Sequence, residues 1–237
     1  MVRSPPEKPA RPQPPAARRR GSAGAAARPS KLSAPDAAGG ARAAKAAERR
    51  AAIIAAALDE FTTRGFAATR LDDVAKRAGV AKGTIYLYFT DKEALFQELV
   101  RASLLPTVNR LRAPLPADVS VRQMLESFAE AFLRDVAQTR RGDIVRLIIA
   151  EGTRFPSLAE FHYRTVVEPG MAGLRRLIEL GVARGEIKST ALAQFPQLVV
   201  APAMLTVIWQ ALFGRFAPLD MQAMLRTQLD LIFGERT

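Results

Sequence analysis

The 237-residue chain contains no cysteine and a single histidine, His162. The first absence excludes disulfide frameworks, thiolate-held zinc, iron–sulfur clusters and thiol nucleophiles together. It also fits a reducing compartment. A lone imidazole leaves no room for a multi-histidine metal site and makes a histidine-dependent triad improbable. No metal, cofactor or catalytic constellation is therefore expected. Uninterrupted apolar runs long enough to cross a bilayer are also missing, since such a span needs about 18 consecutive apolar residues. A membrane partner is not expected either.

Among the first 42 residues aromatic side chains are absent and large aliphatics are scarce, but half of the chain's 16 prolines are there. Such a stretch cannot nucleate a core and reads as a disordered basic Pro/Ala/Arg-rich arm, residues 1–42. The triplet Arg18, Arg19 and Arg20 is not followed by an apolar segment, so export is not expected. An acid-poor, Arg- and Ala-rich stretch of this kind also has the composition of an organellar transit peptide.

What is abundant is positive charge: 35 Lys and Arg against 23 Asp and Glu, a formal net charge of +12. Residues 1–50 hold 12 basic and 3 acidic side chains, so most of the excess lies there. A strongly basic chain favours an anionic partner, nucleic acid or an anionic membrane surface.

From residue 43 the apolar spacing is helical throughout and the fold class is all-α. Ile54, Leu58 and Phe61 share a face of a first helix over about 44–64, which Gly65 stops. Leu71, Val74, Ala75 and Ala78 mark a second, with Thr69 and Asp72 in capping-box spacing. Gly79 turns the chain, and Ile85 with Phe89 imply a third helix over about 82–88. Asp91 caps a fourth. Pro106, Pro114 and Pro116 then divide the chain into a small unit, residues 43–105, and a larger one, residues 106–237. In the latter, helices are expected over about 120–138, 143–154, 157–184, 191–214 and 220–233, with a kink or break at Pro169-Gly170.

Two short helices joined by a glycine turn form a helix-turn-helix, whose second helix enters the DNA major groove. Residues 65–100, GFAATRLDDVAKRAGVAKGTIYLYFTDKEALFQELV, resemble the DNA-binding domain of the TetR family of transcriptional regulators. The run Gly-Val-x-Lys-Gly-Thr-x-Tyr-x-Tyr-Phe and the following Asp-Lys-Glu-x-Leu carry the resemblance. Ala81 departs from the family's usual serine, which removes a phosphate contact or helix cap. The resemblance implies an N-terminal three-helix DNA-binding domain and a C-terminal helical domain for ligand and dimer. It also implies phosphate contacts from Thr69, Arg70, Tyr86, Tyr88 and Lys92. Lys82, Gly83, Thr84 and Leu87 flank the groove, where Lys82 suits phosphate or guanine, Gly83 admits the backbone and Thr84 can reach a base edge. Residues 51–100 carry 6 basic and 7 acidic side chains, a poor balance for a DNA surface that the flanking Arg42, Lys45, Arg49 and Arg50 redress.

For an effector, Phe128, Phe132, Ile148, Phe155, Met171 and Trp209 supply apolar walls, and Glu151 and His162 supply polar groups. An ordinary packed core accounts for any one of them equally well. The helix over 143–154 is apolar nearly all round and is expected to be central. The last two helices hold more apolar surface than a peripheral pair buries, and the family resemblance implies a homodimer through them, matched to a palindromic operator. Leu205 and Leu229 are candidate interface positions. The expected function is a cytoplasmic, nucleoid-associated bacterial repressor, released from double-stranded DNA by a small apolar molecule. A helical carrier, and a nucleoid protein binding DNA without sequence choice, are the alternatives.

Overall fold

The computed structural model describes residues 37–234, and among these every regular element is a helix. The chain runs α1 Ala37–Ala68, α2 Leu71–Arg77, α3 Lys82–Tyr86, α4 Lys92–Arg112, α5 Val121–Phe132, α6 Gly142–Glu151 and α7 Pro156–His162. It continues as α8 Glu168–Ala183, α9 Ala191–Gln194, α10 Gln197–Leu212 and α11 Met221–Phe233. Two π-helical segments, Leu133–Ala137 and Tyr163–Val167, extend α5 and α7. The reading of residues 1–42 as a disordered arm falls mostly outside the described residues. Its last six residues are helical, because α1 starts at Ala37.

Gly65 does interrupt α1, at φ 75° and ψ 165°, a conformation that a side chain disfavours. Beyond it Phe66 turns inward and completes an aromatic knot, with ring centroids 5.5 Å from Phe61 and 5.8 Å from Phe96. Around this knot Ile53, Leu71, Val74, Ile85, Leu95 and Leu99 are buried, so α1 to α4 enclose one small core.

Three expectations about elements are corrected. The fourth helix does not stop at Pro106 but continues through it to Arg112. A proline costs its own N–H bond, and here the buried Ser103, Leu104, Thr107 and Leu111 hold the helix together across the gap by packing. The stretch 157–184, expected to kink or break at Pro169-Gly170, divides instead at the π-helical turn Tyr163–Val167, and Pro169 lies in the first turn of α8. The helix over 143–154 is not central: Ile144 and Leu147 are buried, whereas Ile149 faces outward.

The boundary at residue 105/106 is thus spanned by a continuous helix. The apolar cluster of the small unit also runs on without a gap, through Ile144, Leu147 and Leu158 to Ala203 and Leu225. A second cluster, centred on Leu111, Leu174, Leu177 and Ile178, fills the far end. Where α4 crosses α8, Gly173 meets the α4 backbone: a Cβ there would lie 2.7 Å from the Leu111 carbonyl oxygen.

Candidate functional site

The turn between α2 and α3 is set by Gly79 at φ 66° and closed by Val80 N–H donating to the Ala75 carbonyl at 3.0 Å. Ile85 and Phe89 are buried, which fixes the rotation of α3 and turns its other side out. Tyr86 is 48% exposed and Leu87 83% exposed, and Lys82 and Gly83 lie on the surface. Thr84 is half-buried, and Tyr88 packs against the core, its ring 6.4 Å from Phe89. Arg70 is exposed at the start of α2.

Two of the residues assigned to phosphate have internal partners. The buried Thr69 hydroxyl donates to the Gly65 carbonyl at 2.8 Å rather than capping α2, whose N-cap is Arg70 without a side-chain bond. Lys92 Nζ donates to the carbonyls of Phe66 and Ala67 at 3.0 and 2.9 Å and lies 4.7 Å from the Phe66 ring centre. It closes the end of α1, where carbonyls lack helical donors. Lys82 Nζ donates to Asp72 at 2.7 Å, and that bond, then the carboxylate's charge, raises its pKa.

The unfavourable charge count of this unit is offset by pairing. Glu60 holds Arg77 at 2.6 Å and Arg64 at 3.1 Å, Asp73 holds Arg64 at 2.9 Å, and Glu98 holds Arg50 at 2.7 Å. Asp91 caps α4 by accepting from Ala94 N–H at 2.7 Å. The acids are occupied, while Arg70 and Lys76 stay exposed.

A cavity of about 250 Å³ lies in the larger unit between α4, α5, α8 and α10. Leu104, Thr107, Val108 and Leu111 form one wall, at the i, i+3, i+4, i+7 spacing of a single helix face. Phe128, Phe132, Met171 and Met204 supply others, and both π-helical segments reach it through Val136, Val166 and Val167. His162 lines it too. Burial pushes this imidazole down to about 4, so it is neutral at physiological pH. Its Nδ1 is buried without a hydrogen-bond partner, a deficit of about 1–3 kcal/mol. Val167, Met171, Val200 and Met204 also border a second, outer cavity of about 590 Å³, whose remaining walls include Tyr163, Glu168, Arg175 and Gln197.

Residues 53–99 match the family model described as bacterial regulatory proteins of the tetR family, and residues 115–227 match the tetracyclin repressor-like C-terminal domain. The chain belongs to the TetR family. Its small unit is the helix-turn-helix domain of that family. The HTH-type transcriptional regulator YdeS of Bacillus subtilis is 31% identical over 134 residues, 56% of this chain and 65% of that protein. The chain thus spans slightly less than two thirds of the curated relatives it matches first. Among solved structures, Salmonella enterica GusR is 25% identical with a TM-score of 0.63, covering 78% of this chain and 95% of that one. FadR from Bacillus subtilis, solved in complex with stearoyl-CoA, is 21% identical with a TM-score of 0.58, covering 78% of this chain. At that identity the likeness concerns the fold.

In this TetR-family regulator the residues singled out for an effector divide into two groups. Phe128, Phe132, His162 and Met171 meet at the inner cavity. Ile148, Glu151, Phe155 and Trp209 do not line it. Phe155 packs edge-on to Phe66 at 5.1 Å, Ile148 joins the same cluster, and Glu151 sits against Gly65. These three belong to the seam between α6 and the DNA-binding unit. Trp209 packs edge-on to Phe213, with centroids 5.1 Å apart, and donates to the Ala217 carbonyl at 2.8 Å. Sequence reasoning missed the whole α4 wall and Thr107, although its four-residue helical spacing was visible. Among the described residues no group of three or more acidic or histidine side chains could hold a metal, and no helix is long and apolar enough to cross a membrane.

Proposed function

We propose that the protein is a homodimeric repressor that binds a palindromic operator and is released when an apolar effector occupies the inner cavity. The observation that carries this reading is α4: one unbroken helix is anchored to the aromatic knot at Phe96 and lines the cavity at Leu104 to Leu111. A ligand that shifts this helix moves the recognition helix with it. Operator affinity then changes by the difference in ligand affinity between the two arrangements. The stearoyl-CoA bound by the FadR neighbour supports a hydrophobic effector.

Arg70, Lys82, Gly83, Thr84, Tyr86, Leu87 and Tyr88 form the DNA-contacting set in this reading. Thr69 and Lys92 contribute mainly by holding α1, α2 and α4 in register. The DNA-binding unit is residues 43–105 and the effector and dimer unit residues 106–237, with α4 running through the junction. Exposed Leu198, Leu205 and Leu212 on α10 and Leu231 on α11 supply the partner face. Leu229 does not, since it is buried in the protomer's own core.

Selection of bound sequences from a random duplex pool, followed by mobility shift on the selected palindrome, tests the proposal. A discrete two-fold motif, lost at least tenfold in Tyr86→Ala with an unchanged melting temperature, is expected. Failure to enrich any motif overturns it in favour of non-specific binding. Reporter transcription with and without the operator decides repression against activation, the role carried in the name of the relative FasR of Mycolicibacterium smegmatis, 32% identical over 87 residues.

A further inference from the structure

Two polar side chains line the inner cavity, and neither has a hydrogen-bond partner among the described residues. Thr107, on α4, is 4% exposed. A threonine hydroxyl within a helix commonly folds back onto a carbonyl three or four residues earlier. Thr62 does so to Leu58 at 2.7 Å and Thr206 to Ala203 at 2.7 Å. Thr107 does not. His162, at the junction of α7 and the following π-helical turn, has its unpartnered Nδ1 closed off from the cavity, while Nε2 makes no hydrogen bond either and is the nitrogen that a cavity ligand can reach. Both segments pack on α4, so the two groups enter one cavity from adjoining walls. Buried polar groups are ordinarily satisfied, and each exception calls for a reason.

The rest of the lining limits what that reason can be. No lysine, arginine, aspartate or glutamate borders the inner cavity. A carboxylate or ammonium placed there would be stripped of water without an opposite charge. Arg175 borders the outer cavity, as does Glu168. A pure hydrocarbon would leave Thr107 and His162 as unpartnered as before. A neutral imidazole offers one donor and one acceptor, and a hydroxyl offers both.

We propose that the inner cavity recognises a predominantly hydrocarbon molecule bearing one uncharged oxygen group, a ketone, ester or alcohol, with that oxygen bonded by Thr107 and His162. This rests on the reading of the cavity as the effector site and names the chemistry it selects. The hydrocarbon part lies along Leu104, Val108, Leu111, Phe128 and Met171, and the oxygen sets its orientation.

Calorimetric titration of the full chain at pH 7.5 with 2-nonanone, 1-nonanol, nonanoate and vapour-dosed nonane tests it. The ketone and alcohol are expected to bind at one per chain and at least tenfold more tightly than nonanoate or nonane. In His162→Phe and Thr107→Val the advantage of ketone over nonane should fall at least tenfold. His162→Gln, which keeps a donor and an acceptor, should retain most of it. If nonane and 2-nonanone bind alike, or if nonanoate binds best and loses affinity in Arg175→Gln, the inference is overturned while an apolar effector site stands. If none of the four probes binds, both the inference and the effector reading fall.

Discussion

At Gly65 two constraints meet on one residue. The backbone needs a positive φ to turn Phe66 into the core, and a Cβ would lie 2.6 Å from Glu151 Oε1. His162 is constrained through its charge. Its pKa of about 4 in the folded chain lies below the unfolded value of about 6.5, so the unfolded state takes up the proton first on acidification. The nearest charged side chains on its own segment, Glu160 and Arg164, pair with each other at 2.8 Å. Stability contributed by neutral His162 is complete above pH 6.5 and is lost as pH falls toward 4. Over that window about 3 kcal/mol should disappear. Urea unfolding at half-unit pH steps measures this, and His162→Phe should flatten that part of the curve. Lys92 makes a separable prediction. Lys92→Met should lower unfolding free energy by about 1.5–3 kcal/mol through loss of its charge-assisted bonds to Phe66 and Ala67. The salt dependence of operator binding should barely change. A flattened salt slope with unaltered stability would instead assign the ammonium to a phosphate.

Single helices carry the coupling between the two units. α4 survives Pro106 because its buried stripe lies against α8, and that contact is close because Gly170 and Gly173 face it. A methyl at Gly173 meets backbone, which cannot swing aside as a side-chain end can. Gly173→Ala should therefore cost about 1–3 kcal/mol, the range for overpacking a filled site. It should also displace the α4 wall of the cavity. Thermal unfolding and titration with 2-nonanone check the two effects together. The π-helical turns after α5 and α7 both border the cavity. Their apolar residues repeat much as an α-helix does, so spacing alone predicts one continuous helix in each place.

At the scale of the whole molecule the apolar surface left over is concentrated on α10 and α11. Leu205 is 43% exposed and Leu231 83%, whereas Leu229 is 4% exposed. Leu205→Glu should give a folded monomer in sedimentation at micromolar concentration. Its operator affinity should drop sharply, since one half-site contact then acts alone. A dimeric Leu205→Glu protein would relocate the interface. The charge preceding α1 has a separate signature. Residues 1–36 hold 8 basic and 2 acidic side chains without an aromatic. Each phosphate neutralised adds about −0.9 to the slope of log affinity against log salt. Deleting this stretch should flatten the slope by roughly one to a few units and leave the ratio of specific to non-specific binding nearly constant. Competition titrations at several salt concentrations supply both numbers.

The sequence by itself determined the all-helical class, the helix-turn-helix with Ile85 and Phe89 inward, the Asp91 cap and the family. All of these depend on periodicity and motif within a few residues of one another. It also brought Phe128, Phe132, His162 and Met171 forward as cavity residues. Only the tertiary structure separated them from Ile148, Glu151, Phe155 and Trp209, because an apolar or polar side chain on a helix looks the same whether it faces a void, a seam or a neighbour. The same limit applies to the burial of Leu229, to the passage of α4 through Pro106, and to the internal hydrogen bonds of Thr69 and Lys92. Each depends on packing across elements or on a carbonyl left open where α1 ends.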